Sequence, residues 1–249
     1  MKFFLFFFSM LLLIPPAFSQ NIQSGSSQDV QVKNAIAVYD QYTKDNAPLY
    51  NGNEYLFYTF KMEGDPFFGT GIYGDGSVSF VEGWVSYNGR KYGPVALLFD
   101  IVRDQVVVLS PDQRTPIAMH NEFIDSFSLY GHTFIALKED HSQNLYNTGF
   151  FDLLYNGKNV QFLERRLKVL NPRIVSNTMI TSFPAKNRFY IHKNNLYYLV
   201  SNKKDVFRVY GDRMKDLKKL MRQNHLKLKR KNFETSAAKV TALYDQLTH

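Results

Sequence analysis

Six histidines are the side chains of this chain that could bind a metal ion. They are widely spaced along the sequence, at His120, His132, His141, His192, His225 and His249. Neither an H-E-x-x-H motif nor an H-x-H pair is present, and no cysteine is available as a sulfur ligand. The spacing therefore predicts no metal site. His132 follows a turn glycine, Gly131, and is predicted to enter a strand.

Residues 69–74 read Gly-Thr-Gly-Ile-Tyr-Gly, which is literally a G-x-G-x-x-G motif. The motif binds a dinucleotide when a strand precedes it and a helix N-terminus follows, so that the backbone meets pyrophosphate. Here Asp75-Gly76 and a predicted strand follow instead. A glycine-rich loop is therefore the interpretation, and no cofactor is expected.

Catalytic residues cannot be assigned from motifs. There is no G-x-S-x-G elbow and no cysteine nucleophile. If Asp100 and Asp104 lay on one strand, they would be about 13 Å apart at about 3.3 Å per residue, beyond the range of about 6.5–9.5 Å for inverting glycosidases. If Arg103-Asp104 is a hairpin tip, Asp104 is a turn residue. The alternative that stays open is a hydrolase whose site is assembled from Asp100, His132 and Asp152.

The clearest chemical signal is the charge of the C-terminal segment. Residues 202–249 contain 13 Lys and Arg against 5 Asp and Glu, a net charge of +8, whereas residues 20–201 contain 16 against 17. Such an asymmetry indicates a separate surface role for the segment. The candidate residues for binding an anionic partner are Lys215, Lys218, Lys219, Arg222, Lys227, Lys229, Arg230 and Lys231.

Two interpretations of these basic residues remain open. Lys215, Lys218, Lys219 and Arg222 have helical spacing and lie on one side of a predicted helix, which is consistent with an ordinary solvated face. The functional interpretation is an anionic partner, such as lipid headgroups, lipopolysaccharide or an acidic protein. Nucleic acid is not expected, because the base-stacking aromatics that single-strand binders interleave with basic residues are missing.

The elements that must position these residues begin after a predicted signal peptide. Lys2 precedes an apolar run over residues 3–14, and Ala17-Phe18-Ser19 places small residues before a cleavage site. Residues 1–19 are too short and wrongly flanked for a stable membrane span, and no later stretch is long enough. We expect an exported protein, periplasmic or secreted, with a flexible lead over residues 20–28.

The chain contains no cysteine, which excludes two classes of exported protein. A disulfide scaffold is excluded, so the fold must be stabilised by burial alone, and the lipobox cysteine of bacterial lipoproteins is absent. Aromatic residues make up 16% of the chain, which favours a β-rich core.

Residues 29–201 are predicted to form one helix and a β-rich domain. Asp29 caps a helix over residues 30–42, and turn signals such as Asn88-Gly89 and Asn194-Asn195 then separate short apolar runs. Strands this closely spaced predict an antiparallel meander, sandwich or open barrel. The predicted strands are 55–58, 77–81, 84–87, 95–102, 105–109, 123–129, 133–137, 149–154, 160–163, 189–192 and 196–200.

Residues 202–249 switch to a helical period. Two amphipathic segments are predicted, and both are expected to pack on or next to the β-rich domain. Their apolar stripes are Val206, Tyr210, Met214, Leu217 and Met221, then Phe233, Ala237, Val240, Tyr244 and Leu247.

Several stretches of the chain have a combination of residues that is characteristic when taken together. They include Leu49-Tyr50-Asn51-Gly52, Pro66-Phe67-Phe68-Gly69, Leu97 to Ile101, Gly131-His132-Thr133-Phe134 and the lysine-rich helices. Together they resemble a group of exported proteins of Bacteroidetes-type bacteria that has no assigned activity. The resemblance implies a bacterial envelope location and a β-rich fold, and it carries over no catalytic residue.

The function predicted from the sequence is a non-enzymatic interaction or scaffold module of the cell envelope with a basic helical tail. Two alternatives stay open beside it. One is the hydrolase with a site assembled from scattered residues. The other is a carrier in which an aromatic sheet face lines a cavity for an apolar ligand.

Overall fold

The computed structural model describes residues 31–34, 46–69 and 78–248. The chain divides into two compact units, Met1–Gln41 and Tyr42–His249, and all strands and helices named below belong to the second. Of the helix predicted over residues 30–42, residues 31–34 are helical and the rest lies outside the described residues. The predicted signal peptide and flexible lead also lie outside them.

The described part of the chain is mainly β, which confirms the predicted fold class. Its strands are β1 Asn53–Glu54, β2 Met62–Glu63, β3 Val81–Tyr87, β4 Arg90–Asp100, β5 Gln105–Leu109, β6 Pro116–Ala118, β7 Ile124–Leu129, β8 His132–Leu137, β9 Gly149–Asn156, β10 Val160–Arg165, β11 Asn171–Val175, β12 Thr178–Ser182, β13 Arg188–Lys193 and β14 Leu196–Val200.

Eleven of these strands form one antiparallel sheet in the order β1-β6-β5-β4-β3-β7-β8-β9-β10-β13-β14. Most neighbours in the sheet are also neighbours in the chain, as in a meander. The remaining strands form a small sheet in the order β11-β12-β2, in which β12 and β2 are parallel.

Three hairpin turns explain why so many strands follow each other closely. Both central residues have positive φ at Asn88-Gly89 (51° and 72°), Tyr130-Gly131 (51° and 77°) and Asn194-Asn195 (51° and 60°). This conformation matches the right-handed twist of paired strands and is most accessible to glycine and asparagine. The turns predicted at these three positions are therefore confirmed.

The strand predicted over residues 55–58 is wrong, because residues 55–59 have no regular structure. The Tyr55 and Tyr58 side chains are instead directed to Asp100, which accepts a hydrogen bond from each. Strands β1, β2, β6, β11 and β12 were not predicted. All five residues of β11 are exposed, so no alternation of apolar and polar residues marks that strand.

The larger core is an aromatic cluster on one side of the sheet. Phe99, Phe127, Phe134 and Phe150 form five ring pairs with centroids 4.8–5.8 Å apart, and all four are almost fully buried. These rings come from β4, β7, β8 and β9, so they fix the central strands to one another.

Three α-helices follow β14: α1 Lys203–Val209, α2 Met214–Gln223 and α3 Phe233–Leu247. The first predicted helical segment is thus two helices, interrupted by a 3-10 turn at Gly211–Arg213. Glycine is a poor helix former, and the preceding Tyr210 ring is buried and stacked 4.1 Å from the Tyr244 ring.

The helices contact the sheet through their apolar stripes, whose central members Tyr210, Leu217, Val240 and Tyr244 are buried. At the end of α3, the buried carboxylate of Asp245 accepts hydrogen bonds from the backbone N–H groups at 158 and 159 of the β9–β10 turn. This contact fixes α3 to that turn. No helix among the described residues is long and apolar enough to cross a membrane.

Candidate functional site

The eight predicted binding residues form an exposed surface on α2 and the segment that follows it. Lys215, Lys218, Lys219 and Arg222 lie on α2, and the other four lie between α2 and α3. All eight are exposed. We call these eight residues the basic surface.

The acidic residues of the C-terminal segment do not neutralise the basic surface. Two of them pair with arginines outside it, two pair with cations of the β-rich body, and Asp245 accepts from the β9–β10 turn. The ion pairs are Asp205–Arg208, Asp216–Arg213, Asp212–Lys193 and Glu234–Arg166. In the part of the chain that the structure describes, no residue of the basic surface forms an ion pair.

Like charges repel one another within α2. Lys215, Lys218, Lys219 and Arg222 form four like-charge neighbours at i,i+3 or i,i+4 spacing. Each such neighbour destabilises a helix by about 0.2–0.5 kcal/mol. α2 has a single acidic residue, Asp216, so most of this repulsion is not offset within the helix.

A groove of about 590 Å³ lies beside the basic surface. Its rim is cationic and its floor is apolar. The lining residues are Lys203, Phe207, Lys218, Met221, Arg222, His225, Leu226 and Lys227. The groove thus brings Lys218, Arg222 and Lys227 together, whereas the other five predicted residues do not line it.

The part of this groove that α1 contributes was not predicted from the sequence. The Lys203 and Lys218 ammonium groups lie 5.4 Å and 5.3 Å from the centroid of the Phe207 ring. Lys203 and Phe207 are four residues apart, so helical spacing already places them on one face. The approach of Lys218 depends on the packing of two helices, which no local pattern reports.

A second polar constellation is buried at the end of β10, where Arg166 contacts three carboxylates. Its guanidinium lies 2.6 Å from Asp152, 3.0 Å from Glu164 and 3.0 Å from Glu234. The Asp152 and Glu164 side chains are 1% and 0% exposed. We call Asp152, Glu164, Arg166 and Glu234 the ion cluster.

His132 joins the ion cluster. Its Nδ1 donates to Asp152 Oδ2 at 2.8 Å, and its ring is 37% exposed. Two of the three residues considered for a hydrolase are therefore in contact. The β8–β9 register, which pairs Phe134 with Asp152, brings them together across the sheet.

Burial is the main reason that Glu164, within the ion cluster, has a raised pKa. Burial, with help from Glu234 and Asp152, raises the pKa of Glu164 to about 7, although Arg166 and a hydrogen bond from Asn187 oppose the shift. Its Oε2 atom lies 3.0 Å from Arg166 without the alignment of a hydrogen bond. Glu164 can therefore exchange a proton near neutral pH.

Asp100 lies outside the ion cluster. It accepts hydrogen bonds from Tyr55 Oη at 2.6 Å and Tyr58 Oη at 2.8 Å, and from the backbone N–H groups of Val102 and Arg103. Burial and this carboxylate raise the pKa of both tyrosines. Asp100 thus fixes the β4–β5 turn to the 55–58 segment.

Asp104 is a turn residue, with φ of 53°, and it also forms a salt bridge. Arg165 donates to both of its carboxylate oxygens at 2.8 Å. The two aspartates of the β4–β5 hairpin therefore have separate structural partners.

The other sequence candidates form no site among the described residues. No group of His, Asp and Glu there could hold a metal ion. Of the G-x-G-x-x-G motif only Gly69 is described, and residues 70–74 lie outside the described residues.

A second cavity, of about 460 Å³, has a mainly aromatic and aliphatic lining. Phe57, Tyr58, Phe67 and Phe80 contribute rings to it, and Arg114 lies at the lining as well. This cavity is the candidate site for the alternative hypothesis that the protein carries an apolar ligand.

Comparison with known proteins gives no family assignment. No family model, no curated protein and no solved structure matches this chain. The fold and the site define a mainly β protein with an uncompensated basic helical surface. What that surface and the ion cluster can do is inferred from their own geometry.

Proposed function

We propose that this is an exported envelope protein that binds an anionic partner through its C-terminal helices, with the β-rich body as a non-enzymatic scaffold. The observation that carries the proposal is the basic surface: eight exposed cations without an ion pair in the described chain, beside acidic residues that all have other partners. Lipid headgroups or lipopolysaccharide supply the matching charge.

Cosedimentation with vesicles tests this function. The full chain is mixed with vesicles of phosphatidylcholine alone and with vesicles that contain 30% phosphatidylglycerol. We expect binding to the anionic vesicles only, because each lysine or arginine near an anionic membrane contributes about 1 kcal/mol. Equal binding to both compositions, or to neither, would contradict the proposal.

The second candidate function is an envelope hydrolase, and the His132–Asp152 contact favours it. A carboxylate that fixes Nδ1 of a half-exposed histidine leaves Nε2 available as a general base. No nucleophile accompanies this pair among the described contacts, and Asp100 is engaged elsewhere. For this reason we favour the binding function over the hydrolase, which an activity assay of His132→Ala can test.

A further inference from the structure

We infer that the anionic partner binds specifically in the groove between α1, α2 and the segment after α2, and that this partner is a phosphorylated lipid. Its headgroup would contact the cationic rim, and its acyl chain would lie on the apolar floor. This inference rests on the proposed function and narrows it. Surface charge alone would attract any polyanion. The groove combines charge with an apolar wall.

The rim places cations close together without compensation. The ammonium groups of Lys203 and Lys218 come from different helices and approach the same ring, Phe207, at 5.4 Å and 5.3 Å from its centroid. Arg222 and Lys227 complete the rim, and no acidic residue lines the groove. A phosphate between these groups would relieve their mutual repulsion and accept their hydrogen bonds.

The floor is part of the folded core. Phe207 and Met221 are buried in the cluster that α1, α2 and α3 form with the sheet, and Leu226 packs against the same cluster. An acyl chain on this floor would extend an existing apolar surface. The volume of about 590 Å³ lies within the range of about 300–1,000 Å³ that small-molecule sites occupy.

The C-terminal end of α2 fixes the position of Leu226, which lines the groove. His225 has a left-handed conformation, with φ of 53°, and the backbone N–H of Leu226 donates to Met221 O at 2.8 Å. This pattern is a Schellman cap, in which an apolar residue after the left-handed position folds back on the helix. The cap places Leu226 beside Met221 through a backbone hydrogen bond of the chain itself.

Calorimetric titration of the full chain tests the inference with three probes. Lysophosphatidic acid has a phosphate monoester and one acyl chain, glycerol 3-phosphate has the headgroup alone, and lysophosphatidylcholine has the chain with a neutral headgroup. All are used below the micelle concentration. We expect lysophosphatidic acid to bind at least tenfold more tightly than either of the others.

Two double variants with the same loss of charge separate the groove from the surface around it. Lys203→Ala with Lys218→Ala removes the rim, whereas Lys215→Ala with Lys219→Ala removes two cations that do not line the groove. We expect the first pair to weaken lysophosphatidic acid binding at least tenfold and the second pair less than threefold. Leu226→Ser, at a half-buried position, should weaken binding of this probe without unfolding the chain.

Two results would overturn the inference. One is an equal loss for both double variants, and the other is glycerol 3-phosphate binding as tightly as lysophosphatidic acid. In either case anionic vesicles can still bind, so the proposed function would survive while the groove would lose its role. Absence of binding to anionic vesicles would instead remove the proposed function itself.

Discussion

The Arg166 guanidinium lies 2.6 Å from the buried carboxylate of Asp152 and 3.0 Å from Glu234, which belongs to the first turn of α3. One side chain thus connects β9 with the C-terminal helices. Since α3 contacts α2, which carries half of the basic surface, this ion cluster holds the scaffold and the binding surface together.

Arg166→Met should therefore be strongly destabilising. Removing one partner of a buried ion pair typically costs about 3–5 kcal/mol, because the remaining charges stay buried without compensation. Denaturant unfolding at pH 7 measures the loss. Arg208→Met is the control, since Arg208 pairs with Asp205 at the surface and its loss should cost less than about 1 kcal/mol. Equal losses would contradict the role given to Arg166.

Glu164 should make the stability depend on pH. Its pKa is about 7 in the folded state against an ordinary value of 4.5, so the folded state binds the proton more tightly. The free energy of unfolding should therefore fall as pH rises from about 4.5 to about 7, by up to about 3 kcal/mol, and change little above that.

Glu164→Gln isolates this contribution. The variant and the parent chain should have similar stability near pH 4.5, and the variant should become relatively more stable as pH approaches 7. Denaturant titrations at half-unit intervals of pH measure the difference. Parallel curves over this range would show that Glu164 titrates normally.

Asp100→Asn and His132→Ala should act on stability alone. Asp100→Asn weakens the acceptor of two tyrosine hydroxyls and two backbone N–H groups, which should cost about 2–3 kcal/mol. Thermal unfolding measures this, and vesicle binding should be unchanged. Hydrolysis of an ester or glycoside panel by the purified parent chain, lost in folded His132→Ala, would establish the hydrolase instead.

Lys219→Glu should stabilise the fold while it weakens vesicle binding. Lys215 and Arg222 lie four and three residues from Lys219 on α2, so two repulsive neighbours become attractive, whereas Asp216, three residues before Lys219, becomes one repulsive neighbour. We expect a gain of about 0.5–1 kcal/mol in the free energy of unfolding. Lys186→Glu, an equal charge change at an exposed site of the β-rich body, is the control and should leave vesicle binding unchanged. Loss of stability in Lys219→Glu would contradict the repulsion inferred for α2.

The β-rich fold could be predicted because its signals are local. Turn residues such as Asn88-Gly89 report a backbone conformation directly, and strands such as β5 carry runs of β-branched residues. The 55–58 run was assigned wrongly because aromatic residues favour strands in general. Here Asp100, over 40 residues away, accepts from two of them. A partner that distant leaves no trace in the local pattern.

The candidate site, too, could be predicted from the sequence only in part. The basic surface is dense in sequence, so charge counting finds it. The groove needs Lys203 from one helix and Lys218 from another, and the ion cluster needs Asp152, Arg166 and Glu234 from β9, the end of β10 and α3. These contacts between distant residues depend on strand register and helix packing, which are properties of the folded chain.

The most direct test of the central claim is the salt dependence of binding to anionic vesicles. Exposed charges more than about 8 Å apart are largely screened at 0.15 M salt, so the affinity should fall steeply between 0.02 M and 0.15 M. The test variant reverses Lys218, Lys219, Arg222 and Arg230 to Glu. The control reverses Lys61, Arg114, Lys158 and Lys186, four exposed cations of the β-rich body.

We predict that the parent chain and the control variant bind anionic vesicles at low salt and lose affinity as the salt concentration rises. The test variant should not bind, although circular dichroism should show that it remains folded. Vesicle binding that is insensitive to salt and to reversal of the tail charges would contradict the account and leave α2 and its neighbours as a solvated helical face.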